Sequence, residues 1–198
     1  MKNKLIFKAY TIGLGVIAVF ITSCEPINHT KNMTNLNPDQ WVQSGEGIWT
    51  IDEGVITGNA SLGEAYLMSQ TLFKDFILTL EFKPDEEVNS GIYVRCLEQK
   101  GSAEECHEIN IWDNHPIQKN RTGAIVNRVP PEHIMNTIGK WNTFKIKCIK
   151  DSIEVELNGN TISNFPTSPN QQGYIGLQAA NNGIIQFRSI NIQVLEDY

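Results

Sequence analysis

Ten consecutive residues, HEINIWDNHP at positions 107–116, bring together side chains suited to acid–base chemistry. The residues that can exchange protons, form hydrogen bonds or stack on a ligand include Glu108, Asn110, Trp112, Asp113 and His115. On a regular strand alternate residues point to opposite faces. The pattern therefore places Glu108, Asn110 and Trp112 on one face, with Ile109 and Ile111 on the other.

The preceding segment, GIYVRC, alternates in the same way and supplies a partner strand. If the isoleucines of both strands face the core, Tyr93 and Arg95 lie on the outer face with Glu108. Aromatic rings, a guanidinium, a carboxylate and an amide on one face are typical of a sugar-binding site. The alternative is a solvated outer face on which Arg95 and Glu108 form an ion pair worth less than about 1 kcal/mol.

Three cysteines follow residue 24. Cys96 and Cys106 flank the polar segment LEQKGSAEE and could close it with a disulfide. The predicted register puts them on opposite faces, so a disulfide requires a bulge or frayed strand ends. Cys148 alternates with Phe144 and Ile146, which predicts a buried free thiol.

Short alternating strands must position these residues. In FILTLEF the apolar set is Phe76, Leu78, Leu80 and Phe82, and in SINIQVL it is Ile190, Ile192 and Val194. Asn158-Gly159 is a strong hairpin signal between two further strands. With no helical pattern after residue 23, the sequence predicts an all-β fold, an antiparallel β-sandwich or jelly roll.

The N-terminal segment has the features of an export signal. Residues 1–23 place three lysines before an apolar run of about ten residues, which is too short to span a bilayer. The run leads to Ile21-Thr22-Ser23-Cys24, which resembles a bacterial lipobox with acylation at Cys24; the alternative is an ordinary signal with a chance cysteine. We expect a polar tether over 24–37 and one domain over 38–198.

This organisation predicts a lipid-anchored protein of the bacterial cell envelope. Glu25-Pro26 lacks the aspartate that retains lipoproteins at the inner membrane, which favours the outer membrane. Removing the signal changes the formal net charge from −6 to −9. An acidic surface argues against a nucleic-acid partner, and zinc, P-loop and dinucleotide motifs are absent from the sequence.

Seven segments in order resemble the 3-keto-disaccharide hydrolase family: FKDFILTLEFK, NSGIYVR, HEINIWDNHP, RTGAI with VPP, GKWNTFKIK, IEVELNG and GYIGLQ. The resemblance covers 41–195. It implies a concanavalin-like jelly roll that acts on glycosides oxidised at the sugar C3 hydroxyl. The matching positions are Asn89, Ser90, Gly91, Arg95, Glu108, Asn110, Asp113, His115, Thr122, Gly123 and Gln178. Such proteins carry His-Gly after this glutamine, whereas this chain reads Ala179-Ala180, so the resemblance supports fold and ligand class better than turnover.

The acids of the opening segment do not fit a conventional glycosidase. Two carboxylates must share one site, but Glu108 and Asp113 fall on opposite faces unless the strand bulges or a distant acid contributes. A 3-keto sugar needs one base to remove its C2 proton and a donor to hold the enolate oxygen. We expect Glu108 or His115 as the base, with His133 a further acid or base. The expected donor is Arg95 or Arg121.

The remaining expected contacts position the sugar ring. The predicted substrate-binding set is Asn89, Tyr93, Arg95, Asn110, Trp112, Asp113, Arg121 and Gln178. This chemistry requires no cofactor, although a divalent metal such as calcium could bind near Asp113, Asn114 and the EEVNSG loop. Two other functions remain open: a non-catalytic lectin that uses the same face, and a structural or partner-binding domain.

Overall fold

A computed structural model describes residues 30–34, 38–102, 104–168 and 171–195. The predicted signal, 1–23, and Cys24 lie outside the described residues. The model has thirteen strands: β1 (Thr30–Thr34), β2 (Trp41–Gly45), β3 (Ile48–Asp52), β4 (Val55–Asn59), β5 (Ala65–Ser69), β6 (Phe76–Pro84), β7 (Asn89–Cys96), β8 (His107–Ile111), β9 (Asn142–Ile149), β10 (Ser152–Leu157), β11 (Asn160–Pro166), β12 (Tyr174–Ala180) and β13 (Ile184–Leu195). Two short 3-10 helices span Pro38–Gln40 and Gln118–Asn120.

The strands form two antiparallel sheets, which confirms the predicted sandwich. The larger sheet has the order β11-β10-β9-β6-β13-β4-β3, with β1 also paired to β13. The smaller sheet has the order β2-β5-β12-β7-β8. Strand β1 occupies residues 30–34, within the segment that we expected to be a tether, and pairs with β13. Among the described residues there is no helix long and apolar enough to cross a membrane.

The core lies between the two sheets and is built by the alternation seen in the sequence. The four predicted side chains of β6, namely Phe76, Leu78, Leu80 and Phe82, are fully buried. They pack with Ile92, Val94, Ile109 and Ile111 from the smaller sheet in one apolar cluster. Asn158 and Gly159 both have positive φ and form the predicted hairpin turn between β10 and β11. Cys148 is a buried free thiol, as predicted.

Strand β7 departs from the predicted alternation at Arg95. Arg95 has a left-handed φ of 54°, and the pairing of β7 with β12 shifts by one residue at this point. Such a bulge turns the following side chain to the other face. Cys96 therefore joins Tyr93 and Cys106 on the outer face and forms a disulfide with Cys106. The predicted core position of Cys96 is wrong for this reason.

Candidate functional site

Two cross-strand rows occupy the outer face of the smaller sheet. In the first row Tyr66 of β5 pairs with Gln178, then Gly91, then Asn110 of β8. In the second row the order is Met68, Gly176, Tyr93 and Glu108. Residues directly opposite on neighbouring strands have Cβ atoms about 5 Å apart. The rows therefore bring together Tyr66, Tyr93, Glu108 and Gln178. Glu64, which immediately precedes β5, accepts a hydrogen bond from Tyr66. We call these five side chains the Glu108 cluster: Glu64, Tyr66, Tyr93, Glu108 and Gln178.

Glu108 is a buried acid whose position depends on a glycine. Its carboxylate lies over Gly91, where an added Cβ would come within 2.7 Å of Oε1. Only 7% of the residue is exposed. Burial, with a smaller contribution from the negative charge of Glu64, raises the pKa of Glu108 to about 7, although hydrogen bonding to the Tyr93 hydroxyl opposes the rise. A carboxyl group with this pKa can act as a base or an acid near neutral pH.

A hydrogen-bonded chain connects Glu64 to Gln178 through Tyr66. The Tyr66 hydroxyl donates to Glu64 Oε2 at 3.0 Å and accepts from Gln178 Nε2 at 3.4 Å. The Tyr66 ring meets Tyr93 edge to face, with centroids 6.0 Å apart. Burial raises the pKa of both tyrosines, so their hydroxyl groups stay protonated. Glu64 is the acid at the other end of this chain, and its negative charge contributes to the raised pKa of Glu108.

The disulfide loop covers one side of the Glu108 cluster. Gln99 Nε2 donates to the Ser69 carbonyl at 3.0 Å, and Gly101 lies directly against the Tyr66 ring, leaving no room for a side chain. The Cys96–Cys106 disulfide joins the two ends of this loop. The loop is therefore held over Tyr66 both covalently and by packing.

Replacing Cys96 and Cys106 with alanine should lower the free energy of unfolding by about 2–3 kcal/mol, the loop-closure entropy expected for a short loop. Urea unfolding monitored by fluorescence measures this change. A reductant should destabilise the wild type to a similar extent and leave the double variant unaffected. A loss below about 0.5 kcal/mol would contradict a stabilising role of the disulfide.

Arg95 lies away from the outer face, contrary to the prediction. Its side chain is fully buried, donates to the Lys150 carbonyl at 3.0 Å and to Thr167 Oγ1, and lies 3.8 Å from Asp75 Oδ1. The bulge turns it into the protein interior, and Tyr93 instead pairs directly with Glu108. The structure therefore supports neither the alternative in which Arg95 and Glu108 form a surface ion pair nor the choice of Arg95 as the oxyanion donor.

Asp113 and Arg121 stabilise the long connection between β8 and β9. Asp113 accepts hydrogen bonds from Thr137 N at 2.6 Å and Thr137 Oγ1 at 2.9 Å. Arg121 lies 4.0 Å from Asp113 and donates to the Met135 carbonyl at 2.9 Å and to Gln118 Oε1 at 3.1 Å. These contacts occupy the Asp113 carboxylate and the terminal nitrogens of Arg121, whereas Arg121 Nε is buried without a hydrogen-bond partner. The structure therefore supports neither a substrate contact at Asp113 nor an oxyanion donor at the terminal nitrogens of Arg121.

Three other predicted residues, Asn110, Trp112 and His115, lie on β8 or just after it. Asn110 is in the first row, but its side chain donates to the Asn120 carbonyl and helps to hold the loop beyond β8. Trp112 and His115 follow the end of β8 and pack edge to face at 4.5 Å. His115 Nδ1 accepts from Ile117 N at 2.9 Å, which caps a turn. Partial burial lowers the pKa of His115, so its ring is neutral near pH 7.

Asn89 and Ser90 begin β7 beside this face. Asn89 pairs with Ala180, whereas the Ser90 hydroxyl donates to the Gln178 carbonyl at 2.6 Å. Glu64 and Tyr66 were not predicted as site residues. Tyr66 lies on the short strand β5, in which the other four residues are buried, and Glu64 immediately precedes this strand. Only the pairing of β5 with β12 brings Tyr66 to Gln178. In the sequence, the indication of this strand is the alternation of Ala65, Leu67 and Ser69.

Two other features bear on ligand binding. Within the described ranges, the structure contains no group of three or more His, Cys, Asp or Glu side chains that could hold a metal ion. A cavity of about 600 Å³ lies outside the Glu108 cluster, and its lining includes His107, Arg128, Phe165 and Gln171. None of the predicted catalytic or binding residues lines this cavity.

A family model described as "3-keto-alpha-glucoside-1,2-lyase-like domain" matches residues 30–193. No curated protein is significantly similar to the chain. The crystal structure of a candidate glycosyl hydrolase from Parabacteroides distasonis is 25% identical, with a TM-score of 0.72, and the match covers 85% of this chain and all of the other. The domain is therefore glycosyl hydrolase-like in both sequence and structure.

Two more distant structures share the fold alone. A carbohydrate-binding module from Bacillus subtilis is 13% identical with a TM-score of 0.61, and the match covers 78% of this chain and 95% of the module. The Bacillus licheniformis β-glucanase is 12% identical with a TM-score of 0.57, and the match covers 84% of this chain and 98% of the enzyme. The fold is thus the jelly roll shared by lectins and glucanases.

Proposed function

The chain belongs to the family of 3-keto-alpha-glucoside-1,2-lyase-like domains, and we propose that it cleaves 3-keto-glycosides by eliminating the aglycone and then adding water. The observation that carries the proposal is Glu108, a buried carboxyl on the outer face of β8 whose pKa is raised to about 7. A general base is most effective when its pKa lies near the working pH. Glu108 is the base, and it acts on the C2 proton that the neighbouring ketone acidifies.

The reaction balances without an oxidant or reductant. Glu108 takes the C2 proton, the C1–C2 double bond forms, and the C1–oxygen bond breaks as the aglycone leaves as an anion that takes a proton from water. The hydroxide formed from this water adds at C1, and the proton held by Glu108 returns to C2, which restores the carboxylate. The products are the free aglycone and a 3-keto sugar.

Neighbouring groups have distinct tasks in this scheme. The Tyr93 hydroxyl, which is opposite Glu108 and stays protonated, is the donor that we assign to the enolate oxygen in place of the two arginines. It donates to Glu108 while that carboxylate is ionised, and it turns to the enolate oxygen once Glu108 has taken the C2 proton. Trp112 provides a ring against which a sugar can stack. His115 packs against Trp112 and supports its orientation.

Paired substrates test the proposal. The purified protein should release p-nitrophenol from p-nitrophenyl 3-keto-glucoside and leave p-nitrophenyl glucoside intact, because only the ketone acidifies C2. The rate should rise with pH through about 7 as Glu108 ionises. We propose that no metal is required, so EDTA should not change the rate. Equal release from both substrates, or a rate that falls with pH through this range, would refute the elimination mechanism.

A second candidate function is carbohydrate binding without turnover. The resemblance implies His-Gly after the glutamine, whereas this chain has Ala179-Ala180, and both alanines are buried. Asn181 and Asn182 then adopt left-handed conformations in the turn to β13. Saturable binding of both glucosides without release from either would favour this function over catalysis.

We also propose that the chain is a lipoprotein of the bacterial outer membrane, anchored through Cys24. The support is the arrangement of the sequence, in which a short apolar signal ends in Ile-Thr-Ser-Cys. Mass spectrometry of the membrane-extracted protein should find an acylated N-terminal Cys24. Cys24→Ala should move the protein out of the membrane fraction, and an unmodified mature protein in the soluble fraction would contradict the anchor.

A further inference from the structure

The hydrogen-bond chain from Glu64 to Gln178 determines which end of the Gln178 amide faces the site. A tyrosine hydroxyl has one proton, and the Tyr66 proton is donated to the exposed carboxylate of Glu64 at 3.0 Å. The Tyr66 oxygen can then only accept toward Gln178. The atom of Gln178 that faces Tyr66, 3.4 Å away, must therefore be the amide nitrogen.

This orientation leaves the amide oxygen of Gln178 buried without a donor. The residue is only 4% exposed, and Oε1 has no hydrogen-bond partner in the structure. A buried acceptor without a donor destabilises the folded protein, and a ligand that supplies the donor removes this cost. While the Tyr66 proton is donated to Glu64, a flipped amide would direct Gln178 Oε1 at the Tyr66 oxygen, which then has no proton to donate. The hydrogen bonds from Glu64 through Tyr66 therefore hold Oε1 in its unpartnered position.

The Glu108 carboxylate, which lies over the strand next to Gln178, does not satisfy this oxygen. Gly91 pairs directly with Gln178 on the neighbouring strand, and the Glu108 carboxylate lies over Gly91. When ionised, Glu108 accepts hydrogen bonds but cannot donate them. Above about pH 7, the Glu108 carboxylate over Gly91 and Gln178 Oε1 on the neighbouring strand are therefore both acceptors, and a bound molecule that carries a hydroxyl group can supply the donor that Oε1 lacks.

We infer that Glu64 and Tyr66 are positioning residues that fix Gln178 as a hydrogen-bond acceptor, and that Gln178 Oε1 recognises a free hydroxyl group of the bound sugar. The inference rests on the proposed function in taking the ligand to be a carbohydrate. A site that contains a buried acceptor discriminates strongly against an analogue that lacks the donor. The sugar must therefore carry an unsubstituted hydroxyl at one particular carbon.

Fluorinated sugars test the inference, because fluorine replaces a hydroxyl without donating a hydrogen bond. The probes are methyl α-glucoside and its 2-, 3-, 4- and 6-deoxyfluoro analogues, and Kd is measured by calorimetry at pH 8. For the wild type we expect one analogue to bind about 10- to 100-fold more weakly than the parent sugar. Gln178→Leu should abolish this ratio.

The Tyr66→Phe variant tests the positioning role of Tyr66 separately. Tyr66→Phe removes the group that orients the amide, so the ratio between parent and selected analogue should fall at least about fivefold. Tyr174→Phe is the control, since Tyr174 packs on the same cluster of outer-face side chains, and it should keep the wild-type ratio. A Tyr66→Phe variant with an unchanged ratio would overturn the positioning role.

A failure of the inference about Gln178 can be distinguished from a failure of the proposed function. If the wild type binds all five sugars equally, the inference is overturned and the proposed carbohydrate function is unaffected. If it binds none of them and also releases no aglycone from the 3-keto substrate, both are overturned. Release without discrimination among the fluorinated probes contradicts only the assignment of Gln178.

Discussion

Glu108→Gln is expected to release aglycone about 10³-fold more slowly than the wild type and yet to be more stable by about 3 kcal/mol at pH 8. The two effects have one origin. The pKa of Glu108 rises from 4.5 to about 7 on folding because the carboxyl is buried. Each unit of this rise corresponds to about 1.4 kcal/mol, and this is the cost of burying the ionised form. Glutamine has nearly the same shape but no charge, so it avoids the cost and cannot take a proton.

The pH dependence of stability identifies this cause. Between pH 4.5 and about 7 the folded protein binds a proton at Glu108 that the unfolded chain has lost, so the wild type loses stability as pH rises through this window. Urea unfolding at pH 4, 6 and 8 should show a small difference between wild type and variant at pH 4 and the full difference at pH 8. Glu53→Gln, in an exposed turn, is the control and should change little. A pH-independent difference would exclude the burial cost as the cause.

Arg95→Met is expected to lower the free energy of unfolding by about 3–5 kcal/mol. The side chain of Arg95 is fully buried, and it donates to the Lys150 carbonyl and to Thr167. Methionine can fill much of the same space but leaves the carbonyl and Asp75, 3.8 Å away, without this partner. The cost comes mainly from polar groups that lose a partner in a dry environment.

The matched control is Arg188→Met on the larger sheet. Arg188 forms a two-pronged ion pair with Glu81 at 2.9 and 3.0 Å, but its side chain is 38% exposed. Exposed ion pairs contribute at most about 1 kcal/mol. Chemical denaturation should therefore separate the two variants clearly. Similar losses for both would show that burial does not set the contribution of Arg95.

The sandwich was predictable because its core strands obey a simple period. In β6 every second side chain is fully buried, and the same holds for the apolar set of β10. The Asn158-Gly159 turn was equally predictable from the sequence, since both residues tolerate positive φ. Such features depend only on neighbours in sequence and on one buried face.

The arrangement of the site was less predictable because it depends on a local irregularity and on distant pairings. A single left-handed residue at Arg95 reverses the faces that the alternation assigned to Arg95 and Cys96, and no sequence pattern marked it. The approach of Tyr66 to Gln178 requires β5 and β12 to pair across 112 positions. Glu108, in contrast, was correctly placed on the outer face because β7 and β8 are consecutive strands.

The segment that follows β8 also protects the sheet from association with other chains. Ala124 O accepts from Asn110 N at 3.0 Å, Val126 N donates to Glu108 O at 3.0 Å, and Gly123 N donates to Asn110 O at 2.9 Å. These bonds occupy backbone groups that an edge strand would otherwise offer to an incoming strand. Strand β8, which carries the buried Glu108 carboxyl, is thus shielded from edge-to-edge aggregation. The protein can therefore tolerate a destabilising carboxyl on this strand without exposing unpaired backbone groups to other chains.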